Sequence, residues 1–185
     1  MKIILDCETT GLYVGADEIL QLSIIDFDGN ILFDEFIKPS RNSDWPEAQR
    51  IHGITPDDLK ECLCIDVYLS KIQRIIDRCE IIIGYNPYFD LGFLHYAGVN
   101  HESKPVIDVM QLFAEIYGQW NDYFGDFQWQ KLTTMADYYK YQWKDKAHNS
   151  LADCYATLFC YKQIQNSNEL TNSESDTENS EGLPF

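Results

Sequence analysis

The chain has 185 residues, 45% hydrophobic and 14% aromatic, enough for one domain with a full core plus an extension. Its net charge of −16 excludes a protein that grips long nucleic acid through a basic surface; a polyanionic ligand would have to be held locally, with metal ions supplying positive charge. No signal peptide or long apolar run is present, which predicts a soluble, cytoplasmic protein with no membrane partner, and the six cysteines lack a C-x-x-C pair and read as reduced thiols.

In chain order, Lys2 to Asp6, Ile19 to Phe27 and Ile31 to Ile37 read as strands, the last two joined by a turn at Asp28-Gly29-Asn30. A segment through Trp45-Pro46 leads to Ile51-His52-Gly53-Ile54-Thr55-Pro56, with Thr55 predicted as an N-cap and Pro56 as a first helical residue. Val67 to Arg78 has helical apolar spacing, and the β-branched run Ile81-Ile82-Ile83 fits a central strand. A helix is expected after Pro87, a short strand at Val106 to Val109, and helices at Met110 to Tyr117, Leu132 to Tyr139 and Ser150 to Gln163. A hairpin followed by strand–helix alternation predicts an α/β fold with a mixed five-stranded sheet flanked by helices. The end of the chain is rich in Ser, Asn and Thr, with five acids (Glu169, Glu174, Asp176, Glu178, Glu181) and no Lys or Arg. The expected division is therefore a domain over 1–163 and an acidic disordered tail over 164–185.

Three polar clusters stand at the ends of these elements. Asp6-Cys7-Glu8-Thr9-Thr10-Gly11 closes the first strand. Side chains at i and i+2 share a strand face, so Asp6 and Glu8 aim at one point, and two such charges have little use there without a cation. Asn86-Pro87-Tyr88-Phe89-Asp90 follows the central strand and places Asp90 on the first turn of a helix. His148-Asn149-Ser150-Leu151-Ala152-Asp153 spans the entry to the last helix, with Asp153 about one turn inside.

D-x-E-T-T-G, then N-x-x-F-D, then H-x-x-x-x-D, in this order, resembles the three motifs of the DEDDh 3′→5′ exonucleases: the DNA polymerase III epsilon subunit, RNase T, oligoribonuclease and exonuclease X-like enzymes. The resemblance spans roughly Lys2 to Lys162, and His52-Gly53-Ile54-Thr55 resembles a segment of the epsilon-like branch. Ser150 and Cys154 stand where that family often has alanine, and small adjustments of packing are expected there. Cys7 should point away from Asp6 and Glu8.

The resemblance implies an RNase H-like fold and two Mg²⁺ or Mn²⁺ ions. It implies that Asp6, Glu8 and Asp153 hold the ion that activates water. Asp6 also reaches the second ion, which Asp90 supports largely through water. His148 would be the general base, a role that suits an imidazole's ordinary pKa near 6.5. Backbone groups of Thr9, Thr10 and Gly11 would hold the terminal nucleotide, with Asn86 and Tyr88 as further contacts. Elementary electrostatics agrees, because four converging carboxylates repel unless divalent ions lie among them.

The expected activity is release of nucleoside monophosphates from single-stranded or frayed 3′ ends of DNA. Trimming of RNA 3′ ends is the close alternative, and a non-catalytic polymerase- or clamp-associated subunit is the second. Smaller signals are Lys144 and Lys146 as phosphate contacts, and Trp120, Phe124, Phe127 and Trp129 as satellite core. Asp108 reads as structural. The C-terminal Leu183-Pro184-Phe185 resembles part of the peptide by which bacterial replication proteins bind the sliding clamp, with Ser180 where that pattern begins with Gln.

Overall fold

The computed structural model describes residues 1–143 and 147–178, and of 168–178 the backbone alone. Five strands, β1 (Lys2–Thr9), β2 (Ile19–Asp26), β3 (Ile31–Phe36), β4 (Ile81–Gly84) and β5 (Val106–Asp108), form one mixed sheet in the order β3-β2-β1-β4-β5. The β1–β2 and β2–β3 pairs are antiparallel, and the β1–β4 and β4–β5 pairs parallel. The hairpin turn between β2 and β3 falls where expected: Asp26 accepts the amides of Asp28 and Asn30, and Gly29 takes a φ of 90°.

Helices cover both faces. Along β1, Ile3, Leu5 and Cys7 face one side and pack with Ile72 and Ile76 of α2 (Leu69–Arg78) and Leu91 and Leu94 of α3 (Pro87–Tyr96). Ile4 faces the other side, with Phe113 of α4 (Val109–Tyr117), Met135 of α5 (Leu132–Tyr138) and Cys154 and Leu158 of α6 (Ser150–Glu178). Each fully buried Ile or Leu contributes about 1.5–3 kcal/mol relative to exposure, an upper figure because unfolded chains are already partly collapsed. Strand alternation then puts Asp6 and Glu8 on the α6 side and Cys7 opposite.

Two expectations need correction, and one helix runs on further than expected. The helix near Pro56 is absent: Thr55 and Asp58 cap each other, but residues 56–61 make only successive turns before Leu63 returns to pair with Lys38. The helix there is instead α1 (Pro46–His52), with proline at its start and Gly53 at its left-handed C-cap. Helix α6 crosses the expected division at 163/164, and its backbone runs on to Glu178. Ile164 is buried in the core, and extending a formed helix needs no new nucleus. The aromatics after α4 are not satellite core: Trp120, Phe124 and Trp129 are exposed, around a small hairpin of β6 (Trp120–Asn121) and β7 (Asp126–Phe127). Lys144, Lys146, Leu183 and Phe185 lie outside the described residues. No described helix is long and apolar enough to cross a membrane.

Candidate active site

The site forms where β1 and β4 part. Their ladder ends at Ile4 and Ile83, so Asp6 and Glu8 lie in the crevice beyond the carboxyl end of the parallel pair. Gly84 makes the exit from β4 tight, because a Cβ there would come within 2.7 Å of the Pro87 side chain. Asn86 follows with a φ of 59° and starts α3. This brings Asp90 against β1, where its Oδ1 accepts the Cys7 amide at 2.8 Å. Asp108, at the end of β5, accepts the amides of Asn86 and Met110, and so has the structural role expected of it.

On the other face, Asn149 begins α6 and its side chain accepts the Ala152 amide at 3.2 Å. Asp153 lies one turn in, buried, and accepts the His148 amide at 3.2 Å. His148 has a φ of 65°, a left-handed conformation costing a histidine about 1 kcal/mol, held here by that bond. Its imidazole is exposed to the crevice. Ligand atoms of Glu8, His148 and Asp153 all lie within 4.8 Å of one another.

Electrostatics marks the same residues. Burial, then the charges of Asp90, Asp153 and Glu8, push Asp6 well above the ordinary carboxylate range. Burial, then Asp153 and Asp90, raise Glu8 to about 8. Burial raises Asp90 to about 7 against the opposing hydrogen bonds of Cys7, and Asp153 to about 7 against the His148 amide. Among the described residues none of the four is paired with a lysine or arginine. Four crowded oxygen donors and one imidazole, with no described lysine or arginine paired to them, are a donor set suited to hard divalent ions.

Beside the carboxylates lies a groove of about 560 Å³ whose lining includes Glu8, Thr9, Thr10, Gly11, Leu12, Ile51, His52 and Phe89. A bulge after Glu8 turns Thr9 into it. The threonine hydroxyls serve the turn itself: Thr9 donates to Gly11 O at 2.6 Å, and Thr10 donates to Asp17 at 3.0 Å. A Cβ at Gly11 would fall 2.5 Å from the Asp17 carboxylate, which would have to shift out of its bonds to Thr10 and Tyr13. His52 closes the opposite wall. Ile54 N–H donates to its Nδ1, so Nε2 carries the proton and donates to Thr9 O at 3.3 Å. Burial lowers the His52 pKa.

The structure thus brings together Asp6, Glu8, Asp90, His148 and Asp153, and sets Thr9, Thr10 and Gly11 beside them. Asn86 and Tyr88 do not line the groove; Tyr88 is exposed, and its neighbour Phe89 forms the wall. Sequence reading also missed Gln21 and Ser23, buried beside the site on β2. Their signal was present: two polar residues, i and i+2, in the otherwise apolar Ile19-Leu20-Gln21-Leu22-Ser23-Ile24-Ile25.

Residues 3–161 match the RNase_T family model, described as exonuclease. The uncharacterized exonuclease CP81 of Escherichia phage 186 is 28% identical over 167 residues, 85% of this chain and 84% of that protein. The PolC-type DNA polymerase III of Lactococcus lactis is 31% identical over 62% of this chain, which corresponds to 7% of the polymerase. Among solved structures, exonuclease X in complex with 5′ overhanging duplex DNA superposes with a TM-score of 0.68 at 22% identity, covering 90% of this chain and 92% of that one. Escherichia coli exonuclease I in complex with a dT13 oligonucleotide gives 0.72 at 19% identity, covering 93% and 42%. At these identities the structures share the fold, which is RNase H-like.

Proposed function

Because the chain belongs to the RNase T-type exonuclease family, we propose that it is a metal-dependent 3′→5′ exonuclease releasing nucleoside monophosphates from single-stranded or frayed DNA ends. The observation that carries this reading is the convergence of Asp6, Glu8, Asp90 and Asp153, with His148 within 4.8 Å of Glu8 and Asp153. Asp6, Glu8 and Asp153 would hold one Mg²⁺ or Mn²⁺ ion, and Asp6 with Asp90 a second. When bound, such ions supply positive charge to the attacking and leaving oxygens of an in-line phosphoryl displacement.

The protein groups do the rest. His148 takes the proton of the attacking water, and its backbone bond to Asp153 fixes where the imidazole enters the crevice. Thr9, Thr10 and Gly11 hold the terminal nucleotide, whose base meets the apolar walls of Leu12, Ile51 and Phe89. Asn86 and Tyr88, both exposed at the start of α3, would contact the substrate outside the groove. DNA is supported by the DNA-bound state of exonucleases X and I and by the kinship with PolC polymerases.

The test is product analysis with Mg²⁺ or Mn²⁺ on single-stranded DNA, duplex DNA and RNA. Nucleoside monophosphates from DNA, abolished by EDTA, are expected. Internal fragments, or activity surviving EDTA, would overturn the mechanism, and monophosphates from RNA alone would overturn the substrate.

The acidic body also needs a means of staying near DNA. We assign that to the C-terminal end, with Leu183 and Phe185 docking on a bacterial sliding clamp or polymerase and raising the effective concentration of the enzyme there. A peptide ending at Phe185 should bind the clamp with micromolar affinity. Equal titrations with and without alanine at Leu183 and Phe185 would rule this out. The unpaired state of all six cysteines suits the reducing cytoplasm.

A further inference from the structure

We propose that Ser150 is a positioning residue. A closed ring of hydrogen bonds with Ser23, Asp34 and Gln21 fixes the first turn of α6, and through it Asp153 and His148, against Asp6 and Glu8. The inference rests on the metal-dependent nuclease reading of the site.

Register builds the ring. Ser23 lies opposite Asp6 and Gln21 opposite Glu8, and Asp34 of β3 lies opposite Ser23. Each β1 carboxylate therefore has a polar cross-strand neighbour on its own face. Asp34 Oδ1 accepts from Ser23 Oγ at 2.9 Å and from Gln21 Nε2 at 3.3 Å. The single hydroxyl proton of Ser23 is spent there, so Ser150 must be the donor of the 2.6 Å bond between the two serine hydroxyls. Gln21 Oε1 completes the ring by accepting the Ser150 amide at 3.3 Å.

That amide is the first of α6, one of those a helix leaves without an internal partner. Ser23 and Ser150 are fully buried and Gln21 nearly so, so water cannot substitute. The ring thus ties the rotation of α6 to β2, the strand that sets the register of Asp6 and Glu8. A slip of one residue along α6 would turn Asp153 by about 100° away from them.

The test is Mn²⁺ binding by electron paramagnetic resonance, with turnover of labelled single-stranded DNA and thermal melting, for Ser150→Ala, Ser23→Ala and the double variant. Each single variant should weaken Mn²⁺ binding about tenfold and lower turnover. The double variant should be no worse than Ser23→Ala alone, because that variant already removes the bond that Ser150→Ala breaks. Ile72→Val, buried on the opposite face, should lower the melting temperature without changing Mn²⁺ affinity. If a serine variant fails to fold, Asp34→Ala, at the partly exposed end of the ring, carries the same expectation. Wild-type Mn²⁺ affinity in these variants would overturn the inference alone. A wild-type protein that bound no Mn²⁺ would overturn the nuclease reading and this inference with it.

Discussion

Asp90 Oδ1 accepts the backbone N–H of Cys7, the residue between Asp6 and Glu8, at 2.8 Å. Strand β4 has left the ladder by that point, so the first turn of α3 takes over the pairing of β1. One carboxylate thereby supports the strand that carries two others.

This double role separates two substitutions. Asp90→Asn keeps an acceptor for the Cys7 amide and removes one of the repelling charges, so the metal-free protein should melt at or above wild type while turnover falls about a hundredfold. Asp90→Ala leaves a buried amide unpaired and should also cost about 1–3 kcal/mol of stability. Equal melting temperatures for the two variants would remove the structural half of the role.

The carboxylate cluster also predicts how stability depends on pH. Glu8, Asp90 and Asp153 have folded-state pKa values raised to about 8, 7 and 7, by burial first of all. Between ordinary carboxylate values and these, the folded state binds more protons than the unfolded state, so stability falls as pH rises. In EDTA, melting temperature should drop from pH 5 to pH 8, by about 5 °C or more, and Mn²⁺ at pH 8 should restore it. A flat or rising profile in EDTA would contradict this electrostatic picture.

Removing one of the repelling charges should then stabilise the metal-free protein. Asp153→Asn is expected to melt higher than wild type in EDTA, yet to lose nearly all turnover. Melting curves in EDTA and an oligonucleotide digestion suffice to check both halves.

For the base, His148→Asn suits the left-handed backbone, which asparagine tolerates well. Fold and Mn²⁺ binding should persist while turnover falls by about 10²–10⁴. Unchanged turnover would take His148 out of that role.

The carboxylates and His148 were legible in the sequence because each sits at the end of an element whose period is clear. The Ile3-Ile4-Leu5 and Ile81-Ile82-Ile83 runs place Asp6 and Asp90, and the helix from Ser150 places Asp153. What escaped depends on contacts distant in the chain. Gln21 and Ser23 gain meaning only from β-register with Glu8 and Asp6 and from a helix more than a hundred residues away. Phe89 rather than Tyr88 lines the groove, a choice between neighbours that only the placement of α3 reveals. The extension of α6 to Glu178 was hidden by a composition that, taken locally, favours no core.

The most direct measurement follows a 5′-labelled single-stranded DNA oligonucleotide in Mn²⁺ over time. A 3′→5′ exonuclease gives a ladder of labelled products that shortens one nucleotide at a time and stops at a 3′-terminal phosphorothioate. Immediate release of a labelled mononucleotide, or fragments cut at internal positions, would contradict it.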